Sequence, residues 1–339
     1  MKNKIVTFGE VLLRVSKSGC RRFTQGKSFI GTFGGSEANV AVSLAILGDD
    51  VEYVTRLPQN EMAQACIMDL RSYGVDLSHL CRGGKRLGLY YFEEASCTRN
   101  SLVVYDRDDS SFMRLEPGMI DWATIFKNAN HFHWSGIACA LSEGAAEATR
   151  EAILTARNMG LTISCDINYR KNLWNYGKKA EEVLRPLVEQ SDIIFGDTKE
   201  YALISGRPTP AFDAHDTSYS IDKAAYEAWG AELAKQFPRC QHFLMAMRNE
   251  LSTNHHILSG VLYAENRLYT TTIKDLDGVI DPMGTGDAFI AAYLHAHYAH
   301  PGQHLYNLNY SLAASGLKNS FDGDFNLATD EEIRNYMDE

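Results

Sequence analysis

The sequence predicts an α/β protein built on a mainly parallel central sheet, with a small second sheet beside it. Three observations carry this. Short apolar, β-branched runs alternate with amphipathic runs at the start of the chain and again from residue 131, the pattern of parallel strands joined by crossover helices. Between residues 86 and 111 the alternation stops, and two strand-like runs follow each other with only a polar loop between them, which makes a hairpin outside the main sheet. Two glycine turns, about 250 residues apart, each lead directly into a helix-like apolar run.

Taken in order, residues 4–8 form a buried first strand, and 11–30 an apolar and basic segment of partial strand character. In helix 36–47, Val40, Leu44 and Leu47 fall at i, i+4 and i+7, and Gly48 stops it. Strand 51–55 and helix 60–73, closed by Gly74, complete a β-α-β-α beginning. The hairpin strands are 88–93 and 101–107. Strand 131–135, helix 143–159, strand 162–166, helix 178–190 and strand 193–196 resume the alternation. Strands near 243–247 and 256–262, and a β-branched run at 269–273, precede the second glycine turn, and 306–319 is the final helix. Residues 209–220, polar and proline-containing, read as a mobile loop. No internal repeat or low-complexity linker divides the 339 residues, so the whole chain reads as one domain.

Composition narrows the function classes. Hydrophobic residues make up 45% and charged residues 22%, as in a soluble globular protein. A formal net charge of −10 without a basic stripe argues against nucleic acid as partner. No apolar run is long enough to span a bilayer, and the first residues enter a strand without a signal-peptide core. Seven scattered cysteines without a C-x-x-C pair suit reduced thiols and a cytoplasmic location, with Cys66, Cys139 and Cys165 as packing residues.

The run Asp281-Pro282-Met283-Gly284-Thr285-Gly286-Asp287-Ala288-Phe289 is the most informative stretch. A helix N-terminus carries backbone N–H groups with no internal partner, and the helix dipole adds positive potential there. Glycines let a phosphate approach those amides. An acid among them is placed to take a proton from a hydroxyl attacking the phosphate. The same residues also read as a tight turn with Asp287 capping a helix, and this stretch alone does not decide between the two. No Walker A pattern is present, and no G-x-G-x-x-G follows the first strand, which argues against P-loop and dinucleotide-binding readings.

The second glycine turn is Phe33-Gly34-Gly35-Ser36-Glu37-Ala38-Asn39, continuing to Leu47-Gly48. Together the two motifs, in this order, resemble those of the ribokinase-like sugar kinases, the PfkB family. The resemblance implies a three-layer αβα sandwich with a mainly parallel sheet, and a β lid over the sugar formed by about 11–32 and 86–115. It implies ATP and Mg²⁺ as nucleotide and metal, with a monovalent cation left open. It also implies Asp287 as general base, Gly284, Thr285 and Gly286 as anion hole, Gly34 and Gly35 touching the sugar through backbone, and Asn39 bonding a hydroxyl. Asn168, Arg248, Gly284 and Gly286 are expected on the nucleotide. Closure of the lid would exclude water from the phosphate.

Residues 86–93, 103–111, 166–174 and 323–326 are similar, more narrowly, to those of the 2-keto-3-deoxygluconate kinases, which phosphorylate a sugar acid at C6. Tyr90, Tyr105, Arg107 and Arg170 are then the expected substrate contacts. An arginine fork and phenol donors suit a carboxylate. Arg170, just past a strand end where α/β proteins place ligands, is also expected near the transferred phosphate. Simpler readings stand beside these. Tyr90, Tyr91 and Phe92 could be lid packing, or an exposed face covered in a homo-oligomer through the lid. Arg107, within Asp106-Arg107-Asp108-Asp109, reads by default as a solvated ion pair. Asp197 and Glu200 stand where the family has an Asn-x-x-Glu associated with Mg²⁺, held through water, but they equally form a helix capping box.

One segment departs from the family. Residues 247–254 lack the usual glycine turn that shapes the nucleotide pocket. A non-catalytic sugar-acid binder draws its support from that departure, and a kinase for a neutral sugar such as fructose is the other alternative. His131 and His133, and the group His295, His297 and His300, lack metal-ligand spacing.

Overall fold

The computed structural model describes residues 3–96 and 99–338. Its central sheet runs, from one edge, through Asp50–Val54, Lys4–Phe8, His131–Ser135, Thr162–Asp166, Ile193–Phe195 and His242–Ser252, all parallel. The antiparallel strand His255–Ala264 follows, and it pairs in succession with the short strands Arg267–Thr270 and Lys274–Asp277.

Strand geometry explains the three layers. Successive side chains leave a strand on opposite faces. Val6 and Phe8, Ile194, and Phe243 and Met245 enter one core, with the helices Gly136–Leu141, Glu143–Asn158, Ala180–Val188 and Lys223–Gln236. Ile5, Ile193, Phe195 and Leu244 enter the other, with Ser36–Ile46, Glu61–Ser72 and Thr285–Ala299. Strand 193–195 and residues 243–245 of the next, buried on both faces, read as continuous apolar runs.

The small sheet has the order Ile30–Gly34, Leu12–Ser16, Gly88–Glu93, Leu102–Asp106. It contains the expected hairpin and two strands from the first mixed segment, one of them reaching Gly34. The expected exposed aromatic face is not there. Tyr90 and Phe92 are 3% and 2% exposed and pack with Leu12, Val103 and Met283 toward the main domain. The exposed large side chains of the outer strand are Leu102, Val104 and Tyr105 instead.

Other departures have local causes. Residues 248–254 are the far end of a long hairpin: the ladder pairs Arg248 with Leu258 and Glu250 with His256 before the turn, so no glycine is called for within it. The β-branched run at 269–273 is broken after Thr270 because the edge shifts to a second short strand. The expected mobile loop at 209–220 has no regular element, but it is tied to that hairpin. Asn249 Nδ2 donates to the Asp213 and Asp216 carbonyls at 2.8 and 3.3 Å, and Glu250 N to Ala214 at 2.8 Å. The helix His304–Lys318 is not the last; Asp330–Asp338 follows, a polar helix anchored by Ile333 alone among its fully buried residues. Helix Lys223–Gln236 was missed because its buried set, Tyr226, Gly230 and Leu233, is too sparse to show as a stripe.

The cysteines described are free, and burial pushes the Cys66 and Cys139 thiols up to about 12, as expected of packing residues. Cys97 lies outside the described residues. His131 and His133 both share the Ser164 hydroxyl, at 2.7 and 2.8 Å, and His131 also meets the Tyr298 hydroxyl at 2.8 Å.

These imidazoles give the fold an acid limit. Burial lowers His131 well below 6.5, and His133 and His242 to about 3, so below pH 6.5 the unfolded chain binds protons that the folded chain refuses. Buried carboxyls act oppositely. Glu37 and Glu200, raised to about 7 by burial, bind protons in the folded state first, a gain that is complete once the unfolded carboxyls protonate near pH 4. The two sets therefore oppose each other between pH 6.5 and about 4; below that the histidine penalty still grows, and carboxyls held low by hydrogen bonds, such as those from Arg86 to Asp106 and from Thr124 to Asp121, lose their stabilisation as well. Urea midpoints measured from pH 7 to 3 are expected to change gradually down to about pH 4 and to fall steeply beyond it. A midpoint level between pH 4 and 3 would contradict this.

Candidate active site

The carboxyl ends of the parallel strands and the N-termini of two helices meet at one place. Helix Ser36–Ile46 and helix Thr285–Ala299 both begin there after glycines. Gly284 holds a left-handed φ of 79°, and a Cβ on it would lie 2.0 Å from the Asp324 carbonyl oxygen, so only glycine fits. Gly286 differs: a Cβ there would meet nothing within 4 Å, and it opens onto a cavity. No side chain caps this helix among the described residues, so the N–H groups of its first turn are available.

Asp287 sits in that first turn. Ser36 Oγ donates to its Oδ1 at 2.8 Å and Asn39 Nδ2 to its Oδ2 at 2.7 Å, both from the other helix. Burial raises its pKa, and the Asn39 and Ser36 hydrogen bonds pull it back. Asn39 is thereby engaged: its Oδ1 also accepts the Gly35 N–H at 3.1 Å.

Two cavities flank the turn. The larger, about 600 Å³, is reached by Thr285 and Gly286, with Asp197, Lys199 and Arg248 on its walls. The smaller, about 110 Å³, is bounded by Gly34, Gly35, Asn39, Tyr90, Tyr105 and Arg107, with Gly284, Asp287 and Asp324. Arg170 lines both. The residues predicted from the sequence thus gather at one site, with two exceptions. Asn168, expected beside the nucleotide, lies in the small cavity, at a φ of 40°, donating to Asp166 at 2.8 Å and Ser36 at 3.2 Å. Glu200 reaches neither cavity. Its carboxylate accepts the Tyr169 and Asp197 N–H groups at 2.7 and 2.8 Å, and Asp197 Oδ1 accepts Glu200 N at 2.8 Å, the capping box of helix Thr198–Ser205.

Arg107 is not a solvated surface residue. It is buried, with Nε 2.8 Å from Glu10 Oε2 and Nη2 on the same oxygen, while Ser110 Oγ donates to Glu10 Oε1. Tyr90 donates its hydroxyl to the Asp324 carboxylate, 2.6 and 2.7 Å from its two oxygens. Tyr105, 47% exposed, forms the outer rim.

Sequence reasoning missed Glu10, Glu37 and the pair Arg14 and Asp324. Glu37, raised to about 7 by burial, accepts the Ser135 hydroxyl at 2.5 Å and fills the space where a Cβ on Gly9 would stand. A signal existed for Arg14, a charged residue inside the strand Leu12–Ser16, and Asp324 lies in the quoted stretch 323–326.

An acidic side chain at an uncapped helix N-terminus between two adjoining cavities suits a group-transfer enzyme. Residues 2–232 match the model of the pfkB family carbohydrate kinases, and the chain belongs to that family; it is a carbohydrate kinase. The matched region ends before the Gly284 turn. A 2-dehydro-3-deoxygalactonokinase of Haloferax volcanii is 28% identical over 99% of this chain and 97% of its own length. The crystal structure of 2-dehydro-3-deoxygluconokinase from Thermotoga maritima superimposes with a TM-score of 0.93 at 30% identity, covering 99% of this chain and 100% of that one. A PfkB family carbohydrate kinase from Listeria grayi gives 0.87 at 29% identity, over 99% and 100%.

The two glycines of the turn make a contrasting test. In Gly284→Ala the left-handed conformation costs about 1–2 kcal/mol, and the overlap with the Asp324 carbonyl adds to it. The melting temperature and kcat are both expected to fall. Gly286→Ala is expected to keep the melting temperature, since its Cβ meets nothing. Equal melting temperatures for the two variants would contradict the geometry.

Proposed function

We propose that this enzyme transfers the γ-phosphate of ATP to a hydroxyl of 2-keto-3-deoxygluconate, giving 2-keto-3-deoxy-6-phosphogluconate. The observation that carries this is the position of Asp287 and its turn between two cavities, with Arg170 lining both. The names of the relatives from Haloferax and Thermotoga support a sugar acid as the substrate class.

The sugar acid occupies the small cavity and the nucleotide the large one. Asp287 takes the proton from the attacking hydroxyl as the bond to phosphorus forms. It must be ionised to do so, and the Ser36 and Asn39 hydrogen bonds favour that form against burial. The first-turn amides of helix Thr285–Ala299, with Arg170, hold the charge on the transferred phosphoryl group. Thr285 donates its hydroxyl to the Pro282 carbonyl at 3.0 Å, which fixes the turn.

The substrate carboxylate falls to Arg170 and Tyr105 more than to Arg107, whose fork is taken up in part by Glu10. Asn39 acts first on Asp287, and its role toward a sugar hydroxyl is secondary. Asn168 belongs with the sugar side and Arg248 with the nucleotide side.

Magnesium fits here as a partner of the nucleotide phosphates. Asp197 keeps one oxygen free of its capping bond and faces the large cavity, whereas Glu200 is consumed by backbone and Glu250 is paired with Arg248 at 2.7 Å. One carboxylate oxygen suits a hydrated ion held through water. When bound, Mg²⁺ neutralises charge on the β- and γ-phosphates.

Coupled ATP consumption tests the reading, with 2-keto-3-deoxygluconate, its galactonate epimer and fructose as acceptors. The sugar acid is expected to be turned over and fructose not, with kcat falling about 10²–10⁴-fold in Asp287→Asn, the worth of a positioned general base. Turnover of fructose at the same rate would favour a neutral-sugar kinase, and an undiminished Asp287→Asn would remove the base.

A further inference from the structure

Arg14 is completely buried, although it projects from a strand of the small sheet. Its guanidinium crosses to the main domain and bridges two carboxylates there. Nη2 lies 2.6 Å from Asp281 Oδ2 and Nη1 2.9 Å from Asp324 Oδ1, with the Phe92 ring stacked 4.4 Å away. Each carboxylate shapes the catalytic turn. Asp281 opens the segment that leads into it: Oδ1 accepts the Met283 N–H at 3.0 Å and Oδ2 the Gly323 N–H at 3.1 Å. Lys318 Nζ donates to the Asp281 carbonyl at 3.2 Å. Asp324 lines the small cavity, receives the Tyr90 hydroxyl, and packs its carbonyl against Gly284.

A buried ion pair is a poor device for stability alone, because desolvating the charges offsets most of their attraction. What it supplies is fixed geometry, and a planar arginine fork can hold two carboxylates at a set separation where a lysine ammonium cannot. We propose that Arg14 is a positioning residue, which fixes the anion-hole turn relative to the small sheet through Asp281 and Asp324. It touches neither the hydroxyl nor the phosphate. It sets where the amides of residues 284–287 stand against the small cavity that Tyr90, Tyr105 and Arg107 line. This extends the kinase reading above and assumes the same site.

The test compares wild type with Arg14→Lys, which keeps the charge but not the fork, and with Arg14→Gln. Hydrogen exchange is measured first on the ligand-free proteins. In Arg14→Lys, the Met283 and Gly323 amides, which donate to Asp281, are expected to exchange about tenfold faster together with those of 12–16, while 131–135 stay unchanged. Loosening of 12–16 alone, or no change, would overturn the proposal. Kinetics follow at a temperature well below both melting points. Arg14→Lys is expected to lose about tenfold or more in kcat, with the KM for ATP nearly unchanged. A purely structural residue would lower the melting temperature and leave kcat alone, and that result overturns the proposal too. If wild type fails to turn over any of the sugar acids, the proposed function falls, and the exchange measurement alone decides the role of Arg14. If Arg14→Gln is unfolded, the lysine variant still decides.

Discussion

Two hydrogen bonds join the two glycine-led helices at their N-termini, from Ser36 and Asn39 to Asp287. Their partners are 251 and 248 residues apart in sequence, so the bonds form only when the whole sheet has been assembled between them. Most of the site follows from that meeting. The helix dipoles bring positive potential to the junction, and the glycines clear space for it. The acid, which would gain a proton on burial, is held toward its ionised form by the same two donors.

Around this clamp the site is built from carboxylates that already have partners. Glu10 holds Arg107, Asp324 is held by Arg14 and Tyr90, and Glu37 takes the Ser135 hydroxyl. Such pairing satisfies the cost of burying charge and keeps each side chain in one orientation. It also changes how the arginines are read. Arg107 is a wall fixed by Glu10, whereas Arg170 stands at the boundary of both cavities, and its charge offsets a small part of the rise that burial imposes on the Asp166, Glu200 and Asp287 carboxyls.

Much of this was legible in the chain, for reasons that differ by element. Strands 131–135 and 162–166 were read with their boundaries intact because each alternates polar and apolar residues over five positions and is followed by a helix-like run. The glycine turns were legible because Gly284 holds a left-handed φ, and because a Cβ on Gly34 or Gly35 would collide with Asp324 or the Glu10 carbonyl. Helices Lys223–Gln236 and Asp330–Asp338 were not, since each buries too few residues to show a stripe. The pairing of charges was invisible for a deeper reason: Arg107 and Glu10 lie 97 residues apart, and no local pattern tells a buried pair from a solvated one. The same holds for Asn168, whose position in the small cavity depends on a left-handed backbone that its sequence neighbours do not announce.

The most direct test of this account is the pH profile of kcat/KM for the sugar acid in Asn39→Ala beside wild type. The Asn39 amide is the larger of the two hydrogen-bonding contributions that lower the Asp287 pKa. Without it the base should protonate at higher pH, so the acid limb of the profile is predicted to move upward. An acid limb that stays in place while the rate merely drops would contradict the claim that these bonds keep Asp287 ready as the base.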